Sequence, residues 1–301
     1  MMDSFEYLFD ISLRESILRL CQVDFQVFSA YIPARFPLLL PMKSAFCTNA
    51  FGNEQGDQEK AIPYLAELGY DGIELWQQYL GHADLAWVRS IADGHDLEIV
   101  QICPYFDFTT SQDTWDQSIR DAETFIEYAV ELDCPFIRTY TGNVGSADAA
   151  ARQWDACVRG LQKICEMGAT YNIVFPLETH QVIHHGPNLT DTSPSTLKLL
   201  DDVGMENLTV NLQTPLVGES VFHTVEQLGE HVVHLHAHNW VGGWPELTFL
   251  DAGDVDFTAF IRRLQHKGFD GYISIEHGSH HPPYETAAHE IAYLKQLIEG
   301  Q

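Results

Sequence analysis

From residue 44 onward, short runs rich in β-branched and apolar residues alternate with longer stretches whose apolar positions recur every three to four residues. The first pattern predicts strands and the second predicts amphipathic helices. Strands are expected at Ser44–Asn49, Gly72–Trp76, Leu97–Cys103, Pro135–Tyr140, Ile173–Glu178, Leu208–Gln213, Val232–Ala237 and Gly271–Glu276. Between them, one helix should bury Trp115, Ile119, Ala122, Ile126 and Ala129, and the next Trp154, Cys157, Val158, Leu161 and Cys165. A third should bury Phe257, Phe260, Ile261 and Leu264 behind Asp256 as N-cap, and the last Ala288, Ile291, Ala292 and Ile298. Strands and helices in this alternation predict an α/β protein with a parallel sheet, and eight of each over about 260 residues match a (β/α)8 TIM barrel of ~250 residues. An open doubly wound sheet is the alternative. No GxGxxG follows the first strand, so its dinucleotide-binding version has no support and no nucleotide cofactor is expected.

Two helices run into the next strand through a shared Gly-aromatic-Asp-Gly pattern, Gly69-Tyr70-Asp71-Gly72 and Gly268-Phe269-Asp270-Gly271. A left-handed glycine closing each helix is the expected reason. Residues 1–41 lack this order. They read as an N-terminal extension, with Met42 as a candidate true start, and residues 42–301 as the barrel. The extension has no basic start, apolar run and small-residue cleavage site of a secretory signal.

In a strand, alternate side chains face opposite ways. In the seventh, Val233 and Leu235 oppose His234, His236 and His238; in the fifth, Phe175 and Leu177 oppose Glu178 and His180. In the sixth, Val210 and Leu212 oppose Thr209, Asn211 and Gln213; in the eighth, Ile273 and Ile275 oppose Ser274 and Glu276. The second sets Ile73 and Leu75 against Glu74 and Trp76. Four consecutive strands thus end in a polar residue pointing inward, at the end of a barrel where active sites sit. Two buried carboxylates, an amide and one or more imidazoles, with no Lys or Arg near Glu178 or Glu276 in sequence, predict a divalent cation held by Glu178, Glu276, Gln213 and one or more of the seventh-strand histidines. Oxygen donors with one nitrogen favour Mn2+, with Mg2+ or Co2+ as alternatives. His180 and His238 are expected beside the cation or against substrate, His234 a layer deeper, and Glu74 either orienting a ligand or a substrate hydroxyl or serving as a plain buried hydrogen-bond partner. Trp76, Tyr105, Phe106, Trp240 and Trp244 are candidate pocket walls, and Arg138 is the main candidate for a phosphate contact.

Composition narrows the class. Hydrophobic residues make up 45%, enough for a large core, and 43 acids against 16 bases leave a net charge of −27. Nucleic acid and anionic membrane surfaces both need basic patches, so neither is an expected partner. No apolar run reaches the ~18 residues of a membrane span. Six scattered cysteines without a CxxC pair predict reduced core thiols and a cytoplasmic protein. A homo-oligomer is compatible with the sequence.

Ala61–Trp76, Leu177-Glu178-Thr179-His180, Val233–Asn239 and Ala252–Glu276 together resemble the xylose-isomerase-like (β/α)8 superfamily of sugar and sugar-phosphate isomerases, ketose 3-epimerases, inosose dehydratases and AP endonucleases. The resemblance covers about residues 43–299. It implies that Glu178, His236 and Glu276 match the family's metal ligands after the fifth, seventh and eighth strands. It also implies a small carbohydrate or polyol-derived substrate, and Glu178 and Glu276 exchanging a proton next to a carbonyl, through an enediolate. Isomerisation or epimerisation is the expected outcome, with dehydration as the alternative. The sequence departs from the family in carrying Gln213 where the sixth-strand Asp is usual, Leu216 where a His commonly follows, and Asn239 where many members have Asp. A barrel that has lost full metal binding, and with it activity, is the non-enzymatic alternative.

Overall fold

The computed structural model describes residues 42–179, 187–243, 246–276 and 281–299. The expectations for residues 1–41, His180 and Trp244 fall outside the described residues. Eight parallel strands form the core: β1 Lys43–Cys47, β2 Gly72–Trp76, β3 Glu98–Cys103, β4 Phe136–Ile137, β5 Phe175–Glu178, β6 Leu208–Gln213, β7 Val232–Ala237 and β8 Tyr272–Ile275. Their order is β4-β3-β2-β1-β8-β7-β6-β5. Parallel bridges Phe136–Val174 and Thr139–Leu177 join β4 to β5. This is the TIM barrel, formed as one domain. The expected fourth strand, Pro135–Tyr140, is paired as a strand only at Phe136–Ile137, and beyond it Thr139 continues through hydrogen bonds to Pro176 and Glu178.

Helices follow the strands: α1 Gln55–Leu68, α2 Leu85–Gly94, α3 Gln112–Leu132, α4 Ala151–Ala169, α5 Ser193–Val203, α6 Val221–Leu228, α7 Phe257–His266 and α8 Pro283–Glu299. Ser111, Thr192, Ser220 and Asp256 cap α3, α5, α6 and α7, each side chain accepting from an amide three residues on. Such caps satisfy N–H groups that the helix cannot. The outward strand residues Ile73, Leu75, Leu177, Val210, Leu212, Leu235, Ile273 and Ile275 join the helices' apolar faces in one main core. Among the described residues, no helix is long and apolar enough to cross a membrane, and five free cysteines are all buried.

The Gly-aromatic-Asp-Gly pattern has the expected role at its first glycines: Gly69 and Gly268 take φ values of 84° and 97°. Its last glycine answers to space. A Cβ on Gly271 would stand 2.1 Å from the backbone oxygen of Val233, which the β7–β8 pairing holds in place. Gly271→Ala is therefore expected to destabilise the barrel by about 1–3 kcal/mol, the range for overpacking. Urea denaturation of the variant checks it.

The last helix packs Ile291 and Ile298 on the core as expected, but its buried face is turned from the expected one. Ala288 and Ala292 are exposed, while Ala287, Glu290, Ile291 and Leu294 are buried. Glu290 is thereby carried into the core. Burial pushes its carboxyl up to about 8, against a stabilising hydrogen bond from the Leu250 amide and with Asp251 adding to the rise. Between the usual carboxylate value of 4.5 and about 8, the unfolded chain ionises here while the folded one stays protonated. Stability must then fall as pH rises through that window, by up to roughly 5 kcal/mol from this group. Glu290→Gln should flatten the decline, so that the variant gains on the parent between pH 5 and pH 9 in denaturation midpoints.

Candidate active site

Strand parity brings the inward residues together as expected. Gln213 of β6 pairs with His236 of β7, and His236 with Ser274 of β8. Ile275 pairs with Ala237, so Glu276 emerges level with His238, two residues above His236 rather than beside it. His236 is the hub. Its Nδ1 lies 2.8 Å from Glu178 Oε1 and 3.5 Å from Glu276 Oε2, and its Nε2 lies 3.0 Å from Glu74 Oε2. Glu276 Oε2 also meets His238 Nε2 at 2.8 Å and accepts from Gln213 Nε2 at 2.6 Å. Glu178, Glu74 and His236 are sealed in the barrel, whereas the Glu276 side chain is 18% exposed. Glu276 is therefore where solvent first meets the cluster.

Beneath it lies a satisfied polar layer. Glu74 takes His234 on Oε1 at 2.7 Å, and Oε2 accepts from Gln101 at 3.0 Å and Cys103 at 3.3 Å besides meeting His236. Asn211 Nδ2 adds a contact to His236 Nε2 at 3.2 Å. Glu74 is thus a buried hydrogen-bond partner, and His234 is the deeper residue, with Phe136 and Tyr272 against its ring. The Cys47 thiol lies within 4.8 Å of donor atoms of Glu74 and His236. Both oxygens of Glu74 take hydrogen bonds within this lower group.

A counter-charge is present that sequence proximity did not reveal. Arg138, just past β4, places Nη1 3.3 Å from Glu178 Oε2 and donates from Nη2 to the Pro104 carbonyl at 2.9 Å. Its guanidinium lies 4.7 Å from the Trp76 ring centre and 4.3 Å from that of Tyr105. Arg138 is 1% exposed, and Glu178 is the carboxylate it meets. Trp76 in turn stacks on His236 at 6.2 Å. Trp76 and Tyr105 thus sit at the site as expected. Trp240 and Phe106 instead belong to the main core, Trp240 within a two-residue hairpin, Asn239–Trp240 with Leu247–Thr248. Asn239 ties down the following loop through Leu250 and Val255, and Leu216 is buried in the core.

The charges interlock. Burial pushes the Glu178 carboxyl up, but Arg138 and then His236 overcome it and hold the group below its usual range. Glu276 is likewise raised by burial and brought down to about 2 by His236, His238 and Arg138. Burial drives the His236 imidazole down, and Glu74, Glu276 and Glu178 together lift it well above its ordinary value. The cluster therefore holds ionised carboxylates around one imidazolium. One donor atom each from Glu178, His236 and Glu276 falls within 4.8 Å of the others. A carboxylate–imidazole–carboxylate set of this size, with Glu74 behind the second ring nitrogen, suits a divalent cation in place of the shared proton. Gln213 places its amide nitrogen 2.6 Å from Glu276 Oε2 and 3.3 Å from His238 Nε2.

A parallel barrel whose strand ends carry an acid–imidazole–acid cluster defines a class, and the chain belongs to the xylose isomerase-like TIM barrel family, whose model matches residues 62–297. Among particular relatives, it is 32% identical over 211 residues to a 3-dehydroshikimate dehydratase of Bacillus anthracis, spanning 66% of this chain and 72% of that one. The crystal structure of the probable 3-DHS dehydratase AsbF from Bacillus anthracis superposes with a TM-score of 0.73 at 26% identity, over 84% of this chain and 99% of that one. Fructoselysine 3-epimerase of Shigella flexneri is 21% identical over 241 residues, 75% of this chain and 87% of that one. These named relatives are enzymes.

Proposed function

We propose that this protein is a dehydratase acting on a cyclic polyhydroxylated ketone, 3-dehydroshikimate or a close analogue, by removing a proton next to the carbonyl and expelling a β-hydroxyl as water. The observation that carries the reading is the meeting of Glu178 and Glu276 at one nitrogen of His236, each with a different partner. Arg138 keeps Glu178 anionic, which suits a base that takes the α-proton. Glu276 shares its oxygen with His238 at the solvent side, which suits a pair that returns a proton to the departing hydroxyl. Glu178, His236 and Glu276 would hold a divalent cation, Mn2+ first among the candidates, and its chemistry there is Lewis-acid polarisation of the carbonyl. Dehydration is favoured over epimerisation because the dehydratase relative is 32% identical and the epimerase relative 21%.

Epimerisation is the second reading, supported by the two carboxylates converging on one point. The two differ in product. Dehydration adds a second C=C bond to the enone of 3-dehydroshikimate, which tautomerises to an aromatic chromophore; epimerisation exchanges the α-hydrogen with solvent and creates no new chromophore. Manganese-supplemented protein is expected to generate the chromophore from 3-dehydroshikimate, and to lose that activity to a chelator. Solvent deuterium entering a ketose without any chromophore from the cyclic ketones would instead establish the epimerase.

A further inference from the structure

Two arginines of this acid-rich chain lie on one cleft with no carboxylate against them. The cleft opens between α3 and α4 and has a volume of about 310 Å³, within the range of small-molecule sites. Arg152 and Arg159 of α4 line it, opposite Thr110 of the loop after β3 and Trp115 of α3. Among the described residues, neither arginine has an ion pair or a hydrogen bond, and Asp155, between them on the same helix, pairs with neither. Arg89, Arg138 and Arg263 each meet a carboxylate. With 43 acids against 16 bases, that is the ordinary fate of a guanidinium here. Two unmatched ones on a single cavity leave a local excess of positive charge within a negative field.

The cleft is also a fixed shape. Trp115 Nε1 donates to the Ala156 carbonyl at 2.9 Å, and Gln153 Nε2 to the Thr109 carbonyl at 3.1 Å, so α3 and the loop before it are tied to α4. Asp107 Oδ1 accepts from the Thr109 and Thr110 amides at 2.9 Å and 3.0 Å, which holds the loop in place. Gly160 makes room for the Phe108 ring in the lining, since a Cβ there would stand 2.3 Å from Phe108 Cδ1. A glycine inside a helix costs stability, and here it is what lets the ring fit.

We propose that this cleft binds a small organic dianion, with Arg152 and Arg159 each taking one anionic group and Trp115 lying along the carbon frame. A guanidinium grips carboxylate or phosphate with two parallel N–H donors, and such charge-assisted bonds are the strong ones. The two arginines are two helical turns apart, about 10 Å along the axis of α4. Two anionic groups on a short carbon frame engage both side chains, whereas a lone carboxylate engages one. None of the lining residues belongs to the Glu178–His236–Glu276 cluster, so binding here does not depend on the proposed reaction.

Calorimetric titration of the full chain at low ionic strength tests this, with adipate and phosphoglycolate as dianions and acetate as the monoanion. At least one dianion should bind at a single site about tenfold or more tightly than acetate, and the tighter of the two tells carboxylate from phosphate ends. Arg152→Ser and Arg159→Ser should each weaken that binding about tenfold or more, the effect of losing one hydrogen bond between charged groups. Arg262→Ser serves as the control, because Arg262 also has no partner among the described residues but lies outside the cleft. It should leave the affinity unchanged. No binding of either dianion would overturn the proposal. So would acetate binding as tightly, or Arg262→Ser weakening the dianion as much as the cleft variants do, since the attraction would then be general rather than sited.

Discussion

Replacing Arg138 with methionine is expected to destabilise the protein by about 3–5 kcal/mol, the range for removing one partner of a buried ion pair. The magnitude follows from what is left behind rather than from what the pair contributes. Arg138 and Glu178 are 1% and 2% exposed, so Glu178 would be left buried with only His236 against its charge. Methionine approximates the stem but also removes the guanidinium's contacts with Trp76, Tyr105 and Pro104, a loss that the double variant shares. Adding Glu178→Gln to the same chain should restore a substantial part of the loss, because the stranded charge is then gone as well. Denaturation of the parent, both single variants and the double variant measures this coupling directly. A double variant no more stable than Arg138→Met would show that the guanidinium acts through the rings and Pro104 instead.

The largest effect on activity is expected at Glu276. Glu276→Gln should lower kcat by roughly 10³-fold, within the 10²–10⁴-fold span of general acid–base catalysis, with a smaller change in KM. The substitution removes a carboxylate that lies 2.8 Å from His238 and 3.5 Å from His236, so the proton-returning pair and the cation's donor set are lost together. His238→Gln should be milder, by roughly 10²-fold, because Glu276 keeps Gln213 and its place among the cation's donors. Steady-state rates for the two variants, with metal content measured on the same samples, separate these contributions. Equal losses in both would mean that the pair works as one unit.

The fold and most of the site could be read from the chain because they rest on period. A period of two in β5 to β8 fixes which residues face inward, and Glu178, Gln213, His236 and Glu276 follow from it. Arg138 could not be found this way. It follows a strand paired over only two residues, too short to set a parity, and its partner is 40 positions away. Gln101 was more accessible, as the single polar residue within the apolar run Ile99–Cys103. Asn211 was visible on the inward face, but its contact with His236 depends on a register shift between β6 and β7. Glu290 escaped for a different reason. Ala288 and Ala292 look apolar but are small enough to leave in solvent, so the helix could turn its face and take a carboxylic acid inward. Height along a barrel is also poorly encoded. Strand register moved Glu276 level with His238, and that single step makes Glu276–His238 a pair distinct from Glu178–Arg138.

The central claim is that Glu178 and Glu276 together move a proton next to a substrate carbonyl. Its most direct test is loss of deuterium from 3-dehydroshikimate labelled at the α-carbon, followed by mass spectrometry with manganese-supplemented parent protein and with the Glu178→Gln and Glu276→Gln variants. The account predicts that the parent releases the label in step with formation of the chromophore, and that both variants release it at least about 10²-fold more slowly. Label release at the parent's rate in both variants, or a chromophore formed with the label retained, would contradict it.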